Sequence, residues 1–344
     1  MSQVVEHLAE LTGFRDRDLL DVTLVGAFKD LLAPEMVAIY RCVGEGNERR
    51  WIMRARLGKG DLVATADTLW LDPSQLPRLE SQPARHNCLL RQETMVLGGE
   101  PSLSLFPLAS DREVIGVLEI STAAPMSAEQ MRLVASVLRI YRNFQGLLDY
   151  SERDTLTGLL NRKTFDDSFL RVVGSNPAAV DTARPGAVQR RHAGDSGCWL
   201  GVIDIDHFKR VNDSFGHLIG DEVLLTLSRL MRSTFRYHDR LYRFGGEEFV
   251  VLMRSASDDA AMLAFERLRS NVEGFVFPRV GRITVSIGFT TVRPTDTPAS
   301  AFERADQAVY HAKQNGRNRV ADYAALVAHG ALVEDAHDGD VELF

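Results

Sequence analysis

The chain has 344 residues, 45% of them hydrophobic, and a formal net charge of −7. That length suits two domains with cores of their own, and the acidic balance argues against broad nucleic-acid binding. No apolar run approaches the roughly 18 to 20 residues that span a bilayer, no signal segment is evident, and Cys42, Cys88 and Cys198 fall in no metal-binding spacing, so a cytoplasmic protein with reduced thiols and no membrane partner is expected.

Taken in chain order, Asp18–Leu32 has the pattern of an amphipathic helix. Strand-like runs follow at Met36–Val43, Arg50–Leu57, Ser102–Leu108 and Val114–Ser121. Helices flanking an antiparallel sheet, with a closing strand Glu113–Ile120 running into a long helix, resemble a GAF domain; a PAS domain is the second reading. The resemblance implies a small-ligand sensor or a dimer interface. His86 and Cys88, two apart, are a weak signal for a haem or metal ligand, and Gly44-Glu45-Gly46 a weak one for a phosphate loop. No Walker motif exists, and the sensed signal is not written in these residues.

The long helix begins at a capping box, Ser127-Ala-Glu-Gln130, after Pro125. Two apolar stripes run along it, one through Val134, Leu138, Tyr141 and Leu148, the other through Val137, Ile140, Phe144 and Leu147. Such a helix packs on its own domain and on a partner helix, and the repeat is too short for a full coiled coil. Beyond a helix begun at Lys163, Val173–Gly197 has little apolar periodicity and reads as a mobile loop.

A buried strand, Cys198–Ile203, then ends in Asp204-Ile205-Asp206, and His207-Phe208-Lys209 opens a helix. Leu241–Phe244, a Gly245-Gly246 turn and Phe249–Met253 read as a hairpin carrying Glu247 and Glu248 at its tip. Adjacent carboxylates repel one another unless a cation lies between them. On the hairpin alone a solvated tip is an alternative, and Asp204 alone could be an N-cap. Placed side by side, Asp204 and Glu247 suit Mg²⁺ carrying a nucleoside triphosphate.

These motifs resemble the GGDEF diguanylate cyclases: Asp154–Arg162, Asp204–Asp213, Phe215-Gly-His217, Gly220-Asp221, the signature Gly245–Phe249 and Tyr310–Asn318 stand in that family's order over residues 151–323. Glu247 stands where the family's name has Asp, a change that active members carry. The resemblance implies condensation of two GTP into cyclic di-GMP with release of two pyrophosphates. It implies that Asp204, the Ile205 carbonyl and Glu247 hold Mg²⁺ (Mn²⁺ as a substitute), with Glu248 a further ligand or the proton acceptor. Lys209, Lys313 and Arg317 match triphosphate contacts, the last two at four-residue spacing on one helix face. Asn212 and Asp221 match the guanine edge, Asp221 doubling as an N-cap after Gly216 and Gly220; His217 and the two hairpin glycines line the nucleotide. Arg236 and Asp239 match the family's product-inhibition pair.

The fold class expected is thus mixed α+β and α/β. A GAF-like sensory domain (1–125) joins through a helical signalling linker (126–153) to a palm-like GGDEF catalytic domain (154–325), with a C-terminal tail (326–344) that is acidic and frayed from Glu334 to Asp340. Because one such domain holds one GTP, a homodimer through the GAF-like domain and linker helix is expected, with GTP as substrate, cyclic di-GMP as product and inhibitor, and no nucleic acid. The alternative from another class is a silent GGDEF protein acting as a GTP or cyclic di-GMP receptor; an adenylate-type cyclase is disfavoured by Asn212 and Asp221.

Overall fold

Two units share the chain, Met1–Glu152 with Pro177–Gly194 and Arg153–Asn176 with Asp195–Phe344. The computed structural model describes residues 6, 7, 9, 11, 12, 17–44, 49–67, 75–109, 114–174, 189, 190 and 197–333. The first unit is built on a sheet of seven strands: β1 Met36–Val43, β2 Arg50–Gly58, β3 Thr65–Ala66, β4 Met95–Leu97, β5 Ser102–Ala109, β6 Val114–Thr122 and β8 Gln189–Arg190, in the order β4-β5-β6-β1-β2-β3-β8. All of its pairings are antiparallel except that of β3 with β8.

Alternation along β1 decides what covers each face. Val37 and Ile39 join a core with Leu20, Leu24 and Phe28 of α1 (Arg17–Leu32) and Val134, Val137 and Tyr141 of α3 (Ala128–Glu152). Tyr40 and Cys42 pack on the other side, with Trp51, Leu105 and the buried Cys88 and Leu89 of α2 (Pro83–Arg91). There Arg85 pairs with Glu119 at 3.0 Å and lies 3.4 Å over the Tyr40 ring. The capping box is formed: the Ser127 N–H donates to Gln130 Oε1 at 2.9 Å and the Gln130 N–H to Ser127 Oγ at 3.2 Å. The predicted strands and long helix are present. The helix Pro83–Arg91 and the short strands β3 and β4 are additions.

That helix decides against the His86–Cys88 ligand reading. Residues two apart on a helix do not share a face, the Cys88 Sγ donates to the Glu93 carbonyl at 3.4 Å, and burial pushes its thiol up to about 11. The phosphate-loop candidate ends at Glu45 and Gly46, which lie outside the described residues, as do most of 173–197 and the acidic stretch Glu334–Asp340.

A buried polar network ties α1, the sheet and α3 together. Arg41 Nη2 donates to Asp21 Oδ1 at 2.7 Å, and Arg54 Nε lies 3.6 Å from Asp21 Oδ2. The Tyr141 hydroxyl donates to Asp21 and accepts from Arg41, while Gln145 Nε2 donates to that hydroxyl at 3.0 Å. Burial alone would raise the Asp21 pKa, but the Arg41 charge and hydrogen bond outweigh it and hold the carboxyl below its ordinary value.

The second unit has a six-stranded sheet in the order β15-β14-β9-β11-β10-β7. Its strands are β7 Leu160–Asn161, β9 Gly197–Ile205, β10 Arg240–Gly245, β11 Glu248–Ser255, β14 Val285–Thr291 and β15 Val320–Asp322; Val276–Phe277 (β12) and Gly281–Arg282 (β13) pair separately. The central β9 runs antiparallel to both neighbours, β11 and β14. On one face, Val223, Leu227 and Met231 of α6 (His217–Thr234) and Phe265, Leu268 and Val272 of α7 (Asp258–Gly274) cover Ile203, Ile205, Phe249 and Val251. On the other lies α8 (Pro298–Gln314), which descends on β14 at Gly288, where a Cβ would meet the Ala305 carbonyl oxygen at 2.2 Å. Leu326, Val327 and Leu332 pack on Ala312 and Tyr323, so ordered packing continues past residue 325 through α9 (Tyr323–Ala328). Among the described residues, no helix is long and apolar enough to cross a membrane.

Candidate functional site

The site forms where β9 runs out. Asp204 is directly opposite Glu248 of β11 and Ser286 of β14, so three neighbouring strands present side chains to one face. The β10–β11 hairpin pairs Arg243 with Phe249 and then Gly245 with Glu248, leaving Phe244 bulged out of register. Its ring is anchored on Phe302 of α8 and Phe165 of α4 (Arg162–Gly174), with centroids 5.1 and 5.0 Å away. Gly245 and Gly246, at φ 154° and 50°, make the tight turn that side-chain-bearing residues resist. Glu247 is half-buried at the tip and Glu248 is exposed.

Lys313, in the last turn of α8, brings a positive charge to this face: its Nζ lies 2.8 Å from Asp204 Oδ2. Burial raises the Asp204 pKa against that ammonium, with Asp206 and Asp306 adding to the rise. The Glu247 and Glu248 pKa values are raised too, by burial and then by the charge of Asp204; Asp306 adds to the rise at Glu248. Lys313, with Arg162 acting on Glu248, does not outweigh the burial and the neighbouring carboxylates. Among the described residues no three acidic, His or Cys side chains converge tightly enough to enclose an ion as they stand. The donor set nevertheless fits a hard divalent cation, since it consists of oxygen ligands whose charged forms disfavour one another until a positive charge joins them.

The remaining candidates fall into two groups. Lys209 sits exposed at the start of α5 (Phe208–Phe215), and Asn212 lies one turn further along the same helix. Asn212 Oδ1 packs over Gly220, where a Cβ would approach it to 2.0 Å, and so Asn212 is brought beside Asp221. Two expectations are corrected here. Helix α6 starts at the exposed His217 after Gly216, so Gly220 and Asp221 lie inside it and Asp221 is not an N-cap. Arg317 does not share a helix face with Lys313: α8 ends at Gln314, and Arg317 follows in a turn at φ 60°, its N–H bonded to the Ala312 carbonyl at 3.0 Å.

Arg236 and Asp239 lie in the turn between α6 and β10. Arg236 is exposed, but the Asp239 side chain is only 2% exposed, and its Oδ2 accepts the Arg236 backbone N–H at 2.8 Å. Burial raises the Asp239 carboxyl to about 7 despite that hydrogen bond and the charges of Arg236 and Arg267. A raised carboxyl favours the folded turn fully below the ordinary range near 4. That contribution is lost as the pH rises through about 7.

Sequence reasoning did not single out Arg243. Its guanidinium donates to the Gly246 carbonyl at 2.9 and 3.2 Å and to Asp154 Oδ1 at 3.0 Å, fixing the hairpin tip to the start of the unit. Asp154 also accepts the Thr157 N–H and hydroxyl at 2.8 and 2.7 Å. Burial raises the Asp154 pKa, but these bonds and Arg243 outweigh it and keep the carboxyl low. The signal was in the sequence, a basic residue two before a Gly-Gly turn, but its partner lies 89 residues away.

Residues 151–319 match the family model described as "Diguanylate cyclase, GGDEF domain". The chain is 42% identical over 170 residues to diguanylate cyclase DgcP of Pseudomonas aeruginosa, covering 48% of this chain and 23% of that protein. It is 37% identical over 172 residues to diguanylate cyclase DgcZ of Escherichia coli, covering 49% of this chain and 52% of that one. The chain thus spans from about a quarter to about half the length of these relatives. The crystal structure of the coiled coil and GGDEF domain of DgcB from Caulobacter crescentus with c-di-GMP is 30% identical, with a TM-score of 0.47 over 57% of this chain and 97% of that one.

Proposed function

With residues 151–319 a GGDEF domain, we propose that the chain is a diguanylate cyclase that condenses two GTP into cyclic di-GMP. The observation that carries the reading is the register of Asp204 opposite Glu248, with Glu247 at the adjoining tip and Lys313 on the same face. Each 3′-hydroxyl attacks the α-phosphorus of the other nucleotide; an O–P bond forms, the α–β anhydride breaks, and pyrophosphate leaves. Asp204, the Ile205 carbonyl and Glu247 would hold Mg²⁺ or Mn²⁺, which when bound neutralises charge on the triphosphate. Glu248 is a further ligand or takes the hydroxyl proton. Lys209, Lys313 and Arg317 bind phosphates, Asn212 and Asp221 read guanine, and His217, Gly245 and Gly246 line the nucleotide. Two such domains must face each other, so a homodimer through the first unit and α3 is part of the reading, as are a GAF-like regulatory role for that unit and a cytoplasmic location.

Mass analysis of products from GTP or ATP with Mg²⁺ tests it: cyclic di-GMP from GTP alone is expected, and no cyclic dinucleotide from any mixture would overturn it. The Lys313–Asp204 ion pair, which takes up a proposed metal ligand, favours a second reading, a silent GTP or cyclic di-GMP receptor, and the same assay separates the two.

Two variants probe the support and the control of the site. Arg243→Ala should lower kcat by roughly 10- to 100-fold, the range seen when a group that orients ligands is lost; a rate equal to wild type would show that the tip holds itself. Arg236→Ala should leave the initial rate unchanged and raise the late plateau of progress curves, because product no longer finds the guanidinium fork. If added cyclic di-GMP slows both proteins equally, the pair is only a turn closure, the role Asp239 fills in the structure.

A further inference from the structure

Asp206 lies at the edge of the site and is given no role in the reaction above. It is 6% exposed, and its carboxylate is fully engaged: Oδ1 accepts from Ser286 Oγ at 2.7 Å, and Oδ2 from Thr284 Oγ1 at 2.6 Å and from the backbone N–H of Asn318 at 3.0 Å. Asn318 is tied a second time, through its side chain, to α7. Its Oδ1 accepts from Arg269 at 2.9 Å and its Nδ2 donates to Glu273 at 2.8 Å.

These bonds hold an unusual piece of backbone. Gly316, Arg317 and Asn318 have φ of 107°, 60° and 47° in succession, and the last two pay the steric penalty of a Cβ in the left-handed region. Isolated L-residues do not stay there, so surrounding contacts must impose the conformation. The Arg317 N–H bond to Ala312 fixes the turn from the helix side, and Asp206 with Asn318 fixes it from the sheet side.

We infer that Asp206 is a positioning residue for the nucleotide's phosphates: by holding the Asn318 backbone it keeps Arg317 in place beyond the end of α8. This rests on the reading that Arg317 binds the triphosphate. An amide could keep these bonds, its oxygen accepting from Thr284 and the Asn318 N–H and its nitrogen donating to the Ser286 hydroxyl, so truncation of the side chain is the change that frees the Asn318 backbone.

The test is a cycle of Asp206→Ala, Arg317→Ala and the double variant, read by calorimetric GTP affinity and by KM and kcat, with thermal melts as a folding control. Asp206→Ala should weaken GTP binding and raise KM about 10-fold with kcat within about twofold, and the double variant should be no worse than Arg317→Ala alone. Asn318→Ala, which keeps the backbone N–H but releases α7, should shift affinity in the same direction by less, and it serves where Asp206→Ala fails to fold. Multiplying effects in the double variant, or a fall in kcat at unchanged affinity, overturns the inference. Should Arg317→Ala leave GTP affinity unchanged, the phosphate role of Arg317 is wrong and the inference falls with it. If GTP binds but no cyclic di-GMP forms, only the activity reading fails and the affinity arm still decides.

Discussion

Glu247→Gln should cut cyclic di-GMP synthesis by roughly 100- to 1000-fold, the value of several kcal/mol of charge stabilisation lost at the reacting phosphates. The melting temperature should not fall. Glu247 is a half-buried turn residue whose pKa is raised by burial and then by Asp204, so removing its charge relieves repulsion and leaves the hairpin packing alone. A wild-type rate in this variant would place the metal elsewhere. Asp204→Asn should be as inactive, but it also strips Lys313 of a partner at 2.8 Å, which makes Glu247 the cleaner probe.

The second large effect is on stability. Asp21→Asn should destabilise the first unit by about 3–5 kcal/mol, because it leaves a buried guanidinium without its counter-charge. Arg41 and Asp21 have side chains only 12% and 4% exposed, and Tyr141 and Gln145 depend on the same carboxylate. A fall on the order of 10 °C in the first melting transition is expected. The Asp21 carboxyl is held low, so its contribution is complete above the ordinary carboxylate range and is lost as the pH falls below about 4 through the folded value. A melt unchanged at pH 7 would mean that water reaches Arg41.

The parts of this architecture that could be read in advance are those with a period or a punctuated turn. The four long strands of the first sheet, the capped helix α3, β9 and the Gly-Gly hairpin all carry such signals, and all are present. Two-residue strands such as β3 and β7 have no period to read. The departure of Arg317 from the helix was hidden because its conformation is imposed by Asp206, 112 residues from Asn318 in sequence. Gly216, not Gly220, is the break before α6, and two glycines four residues apart do not tell by pattern alone which of them precedes the helix. The burial of Asp239 follows from a turn closing on itself, which the Arg–Asp spacing does not distinguish from a surface pair. Asn212 and Asp221 could be paired from sequence because one glycine lets the two helices touch.

The central place of β9 has a consequence for how the molecule comes into being. Glu248 lies 44 residues and Lys313 109 residues beyond Asp204 in the chain, while β14, the other neighbour of β9, begins only at Val285. Contacts of such separation pay their loop-closure entropy before they return any stabilisation, and so they form slowly. During synthesis, β9 and β11 can pair long before β14 exists, leaving one side of an apolar central strand open to any passing strand. The charged face around Asp204 is therefore completed late, when Lys313 is made, and the interval before residue 291 is made is when the chain is most exposed to aggregation.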